Sequence, residues 1–134
     1  MPELGAVLDE LEEASREPDS LIVVEVSNKG VRVFKLKERR TWIDARGRSV
    51  AAVGAITAND GSYEIKIAFE SSVYDAGDTL FKEMLSELLE ADEPYYKLPP
   101  LIHGLFERLH YPPSGYRLLE ESYDNYMWAI IYYY

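Results

Sequence analysis

The sequence predicts an α+β fold: a mainly antiparallel sheet of about five to seven strands, with three helices packed on one face or end. Three observations predict it. Strand-like runs cluster between Leu21 and Glu70 and helical periodicity follows, so the two kinds of element are segregated rather than strictly alternating. The turn signals "NKG" and "ANDG" separate neighbouring strands by only a few residues, as hairpins require. A length of 134 residues with 47% hydrophobic content suits one domain over residues 1–134 with a core of its own.

The elements follow in order. Leu4, Val7, Leu8 and Leu11 recur at helical spacing, while Glu3, Asp9, Glu10, Glu12 and Glu13 fill the outward positions, with Pro2 in the first turn. Pro18 ends this helix, because the residue before a proline disfavours the helical conformation. "LIVVEVS" (21–27) is almost wholly apolar or β-branched, and "VRVFKLK" (31–37) returns across the "NKG" turn. "TWIDA" is a short strand candidate, and "RGR" (46–48) turns into "SVAAVGAIT" (49–57). After "ANDG", the run "SYEIKIAFE" sets Tyr63, Ile65, Ile67 and Phe69 on one face and Glu64, Lys66, Ala68 and Glu70 on the other, the alternation of a half-buried strand.

In the second half, Asp78 is placed to cap a helix whose inner face is Leu80, Phe81, Met84, Leu85 and Leu88. "DEPYYKLPP" reads as a break, with Pro100 opening a further helix, "LIHGLFERLH". "YRLLEESY" and "YMWAIIYYY" form a terminal hairpin around "DN", the apolar last run lying inside the sheet.

Composition narrows the function. Cysteine is absent, which removes disulfides, thiolate metal sites and a cysteine nucleophile. There is no Gly-rich phosphate loop and no serine in a nucleophile elbow. The acidic N-terminus lacks the pattern of a signal peptide and no apolar run reaches the roughly 20 residues that span a bilayer, so a cytoplasmic chain without membrane contact is expected. Gln is missing and Asn occurs three times among many Glu, Arg and Tyr. Depletion of thermolabile side chains predicts a thermophilic protein, melting above the roughly 60 °C usual for mesophile domains.

The chain carries a formal net charge of -10, yet Lys35, Lys37, Arg39, Arg40, Arg46 and Arg48 crowd into fourteen residues against Glu38 and Asp44. With Trp42 among them, such a segment can hold phosphates and stack a base, or grip an acidic protein surface. Equally, Lys and Arg at a sheet edge guard it against aggregation. The strong negative field of the rest of the chain opposes an approaching polyanion.

Three further groupings bear on chemistry. His103, Glu107 and His110 stand at i, i+4 and i+7, so one continuous helix would set them on a common face able to bind a divalent ion. The apolar residues of that helix cluster opposite, which turns the face outward as an ordinary polar surface. Asp44 followed by the tripeptide Glu64-Ile65-Lys66 resembles the acid and E-x-K of metal-dependent nucleases of the restriction-endonuclease-like fold, where carboxylates hold Mg²⁺ and lysine steadies charge on the phosphate. The proline usual before the first acid is missing, and the same tripeptide suits charge pairing between strands. Nine of the eleven tyrosines fall between Tyr95 and Tyr134. Tyrosine is favoured in interfaces, which makes Tyr132, Tyr133 and Tyr134 candidates for self-association; a Tyr-rich core edge is the alternative.

The expectation is therefore a small acidic binding or assembly module without a cofactor. It would contact an anionic partner, acidic protein or nucleic acid, through the basic hairpin and associate with a protein partner or itself. The alternative is a divalent-metal phosphodiesterase or nuclease using Asp44, Glu64 and Lys66.

Overall fold

The computed structural model describes residues 4–36, 42–122 and 125–134. The element order is α1 (Leu4–Ser15), β1 (Leu21–Ser27), β2 (Gly30–Leu36), β3 (Val50–Asn59), β4 (Ser62–Glu70), α2 (Ser71–Ala76), α3 (Asp78–Glu90), α4 (Pro94–Arg108), β5 (Gly115–Ser122) and β6 (Tyr126–Tyr133). The strands form one six-stranded sheet in the order β2-β1-β4-β3-β6-β5, and every neighbouring pair is antiparallel. This is the α+β architecture expected, with the six-residue α2 added to three longer helices among the described residues. None of the described helices is long and apolar enough to cross a membrane.

Local chemistry accounts for the hairpins. Asp60 and Gly61 both take positive φ, 47° and 82°, as a two-residue turn matching the twist of its strands requires, and glycine meets this without a Cβ penalty. Asn28, in the β1–β2 turn, donates its amide to the Gly61 carbonyl at 3.0 Å and accepts the Tyr63 N–H at 2.7 Å, so one side chain ties the two turns together.

Alternation then sorts the residues. Ile22, Val24 and Val26 of β1, Ile65, Ile67 and Phe69 of β4, Ala52 and Ile56 of β3, and Trp128, Ile130 and Tyr132 of β6 are buried in one cluster with Val7 and Leu11 of α1, Phe81, Leu85 and Leu88 of α3, and Leu98, Ile102 and Phe106 of α4. All four helices therefore lie on one side. None of the described helices lies on the other side.

Two elements differ from expectation. Helix α4 begins at Pro94 and runs through Pro99 and Pro100, instead of opening at Pro100. Prolines inside a helix sacrifice hydrogen bonds. Here the stripe of Pro94, Leu98, Ile102, Leu105 and Phe106 is buried continuously, and the apolar surface it removes from water outweighs those bonds. The described part of "TWIDA", from Trp42 onward, forms no strand; it holds to the sheet by the Val50 N–H donating to the Trp42 carbonyl at 2.8 Å and one bridge between Ile43 and Ser49. Asp78, expected as a cap, is itself the first residue of α3, and its carboxylate accepts the Thr79 N–H at 2.7 Å.

Candidate contact surface

The helix-free face has a definite composition. Across its middle run Phe34, Val23, Ala68, Val53 and Ile131, one from each of β2, β1, β4, β3 and β6. The next row holds Arg32, Glu25, Lys66, Ala55, Ala129 and Leu119. Arg32 meets Glu25 at 3.2 Å and Lys66 meets Glu64 at 3.1 Å, while the Arg32 guanidinium sits 5.4 Å from the Phe34 ring centroid. The face thus joins an apolar middle row, ending at Arg117 on β5, to a charged row of nearly balanced sign, whereas the whole chain carries -10. Phe34, Leu36, Leu119 and Met127 are exposed on it.

One end of this face is occupied by the turn from Trp42 to Ser49. Asp44 organises it: one carboxylate oxygen accepts the backbone N–H of Arg46 and of Arg48, both at 2.9 Å, and the other accepts the Tyr133 hydroxyl at 2.9 Å. The Arg48 guanidinium lies 3.8 Å from the Tyr133 ring centroid. The backbone hydrogen bond from Arg48 holds the Asp44 carboxyl below its ordinary range, helped by the Tyr133 hydroxyl, the Arg46 N–H and the Arg48 charge. Burial pushes the Tyr133 phenol up, and the Asp44 carboxylate adds to this.

This geometry redistributes the basic segment. Lys35 belongs to the helix-side register of β2 and pairs with Glu17. Arg48 lies over Tyr133 of β6, four strands away, or about 19 Å at the usual strand spacing. Arg46 is exposed and Trp42 half-buried. Lys37, Arg39 and Arg40 lie outside the described residues. Among the described residues, Lys35 and the Arg46–Arg48 turn do not form one patch.

The metal-centred alternatives are not assembled. Asp44 is bound at the Val50 end of β3, since Tyr133 pairs with Val50, whereas Glu64 pairs with Thr57. Seven residues of strand separate these positions, about 23 Å, far beyond the reach of a shared ion. The nuclease-like trio Asp44, Glu64 and Lys66 is therefore corrected to two unrelated groups, with Lys66 paired to Glu64. The His103, Glu107 and His110 face fails because α4 ends at Arg108 and Leu109 is extended, so His110 leaves the helical repeat. His103 turns inward: its Nδ1 lies 2.6 Å from the Tyr132 hydroxyl, and its ring packs edge-on against Tyr116 at 4.7 Å. No three His, Asp or Glu among the described residues are grouped to hold a metal ion.

The tyrosine candidates divide as well. Tyr132 is buried, stacked on Phe106 at 4.5 Å, and its phenol is pushed up strongly by burial. Tyr133 is buried under the Asp44 turn, and Tyr134 is exposed with its hydroxyl donating to Glu70 at 2.6 Å. Tyr132 and Tyr133 are core residues of an interior strand, which corrects their placement in an interface.

Sequence reasoning passed over β5. Tyr116, Leu118 and Leu119 are 56%, 48% and 46% exposed on this edge strand. The signal was present in "YRLLEES": two adjacent leucines on a strand must face opposite sides, so a sheet covered on one side leaves at least one of them in water. The helix layer meets β5 at Tyr116, through His103, and leaves both leucines exposed. Comparison of the chain with protein-family models, curated proteins and solved structures finds no match.

Proposed function

We propose that this chain is a binding and assembly module that joins copies of itself through the parts of the sheet left bare by its single helix layer. The observation that supports the reading is the helix-free face, with an apolar row across its middle and nearly balanced charge, continuous with an exposed edge strand. Contiguous exposed apolar surface is uncommon on stable monomers and marks interaction sites. An acidic chain meets a second copy most readily where its own charge is balanced. The test is the mass in solution across a concentration series. A multiple of 15.4 kDa is expected, and a species that stays at 15.4 kDa up to about 100 μM, where a micromolar association would be largely complete, overturns the reading.

A second reading keeps an anionic partner, acidic protein or nucleic acid, at the Lys35 to Arg48 segment. The exposed Arg46 and the half-buried Trp42, both in the Trp42–Ser49 turn, favour it. Binding to labelled single-stranded and duplex oligonucleotides across a salt series separates the two. Affinity falling steeply with salt, and less steeply in Arg46→Ala, supports phosphate contact. No binding at low salt removes nucleic acid.

A further inference from the structure

We propose that β5 is a self-pairing edge: two copies join β5 to β5 antiparallel about a two-fold axis centred on Leu119, fusing their sheets into one. This rests on the self-assembly reading above and deepens it by naming the edge, the partner and the register.

The two edges of the sheet are treated differently. Strand β2 is blunted: α1 packs beside it, it carries Arg32 and Lys35, and Lys35 is tied back to Glu17. Charged side chains and covering elements are the usual protection of an edge. Strand β5 is eight residues long and free of Pro, is exposed from Tyr116 to Glu121, and has no described strand beyond it; its charges, Arg117, Glu120 and Glu121, are of both signs, whereas those of β2 are both basic. Its outward backbone N–H and C=O groups form a template for strand addition.

Geometry then restricts the register. Residues directly opposite in an antiparallel pair share a face. A two-fold axis perpendicular to the sheet carries each face onto itself, so the axis must set one residue against its own copy. Centring on Leu119 places Arg117 opposite Glu121 of the second copy and Glu121 opposite its Arg117. Two ion pairs then flank a Leu119–Leu119 contact on the helix-free face. The other face sets Leu118 against the aliphatic stem of Glu120 of the second copy. Centring on Leu118 instead leaves Arg117 against leucine and Glu121 against Gly115, with no ion pair. Charge complementarity selects the first register. The same axis keeps both helix layers on one side and makes the two helix-free faces continuous.

The test uses the full chain in sedimentation equilibrium. Wild type is expected at twice 15.4 kDa. Arg117→Glu should raise the dimer dissociation constant about tenfold or more, because two attractive cross-strand pairs become repulsive. The swap Arg117→Glu/Glu121→Arg should restore it, which a merely structural effect of Arg117 would not. Phe34→Asp, at the opposite edge, should leave the dimer intact. Circular dichroism confirms that each variant is folded. A dimer unchanged by Arg117→Glu overturns this inference; if Phe34→Asp dissolves it, association is face to face and the self-assembly reading stands. A wild type fixed at 15.4 kDa overturns both.

Discussion

Gly54 offers a direct test of how the helix layer is seated on the sheet. It lies in the middle of β3, buried, between Ile67 of β4 and Ile130 of β6. A Cβ at this position would stand 2.6 Å from Cδ1 of Ile102 in α4 and 3.4 Å from Cγ2 of Ile130. Glycine in a strand interior is otherwise unfavourable by roughly 0.5–1 kcal/mol relative to alanine, so its presence reflects close approach of the helix. Gly54→Ala regains that backbone term but overpacks a core where the typical cost is about 1–3 kcal/mol, a net loss of about 1–2 kcal/mol. For a chain of 134 residues this lowers the melting temperature by roughly 4–7 °C. Ile102→Val alone should cost about 0.5–1.5 kcal/mol. It also deletes the very atom that the new methyl meets. The double variant should therefore be about as stable as Ile102→Val alone, a coupling on the order of 1–2 kcal/mol. Urea unfolding of the four proteins, followed by far-ultraviolet circular dichroism, measures this. Strictly additive losses, or a Gly54→Ala protein as stable as wild type, would refute the close packing of α4 against β3.

Two further predictions follow from the titrating groups. Asp44 has its folded pKa lowered, so the stability it lends the Trp42–Ser49 turn is complete above the ordinary carboxyl pKa of 3.8 and is lost as the pH falls through the folded value. Hydrogen exchange should show Asp44→Ala deprotecting the Arg46 and Arg48 amides, and unchanged protection would remove Asp44 as organiser of the turn. Tyr74, Tyr126, Tyr132 and Tyr133 are pushed up chiefly by burial, so their neutral phenols favour the folded state below pH 10.0, and this contribution is lost as the pH rises above it. Alkaline titration of tyrosine absorbance should show a late group ionising together with loss of circular dichroism; one smooth ionisation of all eleven tyrosines in a folded protein would contradict it.

Local chemistry determined a good part of this protein. The alternation in "SYEIKIAFE" placed Ile65, Ile67 and Phe69 on a buried face, and the structure buries all three. The turns at Asn28–Lys29 and Asp60–Gly61, the helices α1 and α3, and the terminal hairpin follow from spacing and turn residues within a dozen positions of each other. What only the tertiary structure decided is which elements meet. Strand β4 inserts between β1 and β3, and β6 returns to pair with β3 from more than seventy residues away, at Ala52 with Tyr132. A period of two assigns a residue to a face but never names its neighbour. The same limit explains the site. Asp44 and Glu64 were grouped because an acid followed by E-x-K matches a motif in chain order, yet the register sets them at opposite ends of the sheet. Tyr132 and Tyr133 looked like a surface, yet Phe106 of α4 covers one and the Asp44 turn the other. Pro99 and Pro100 looked like a break before a helix opening at Pro100, because propensity weighs the lost hydrogen bonds of one segment, while the burial that sustains α4 from Pro94 exists only once the sheet is beneath it.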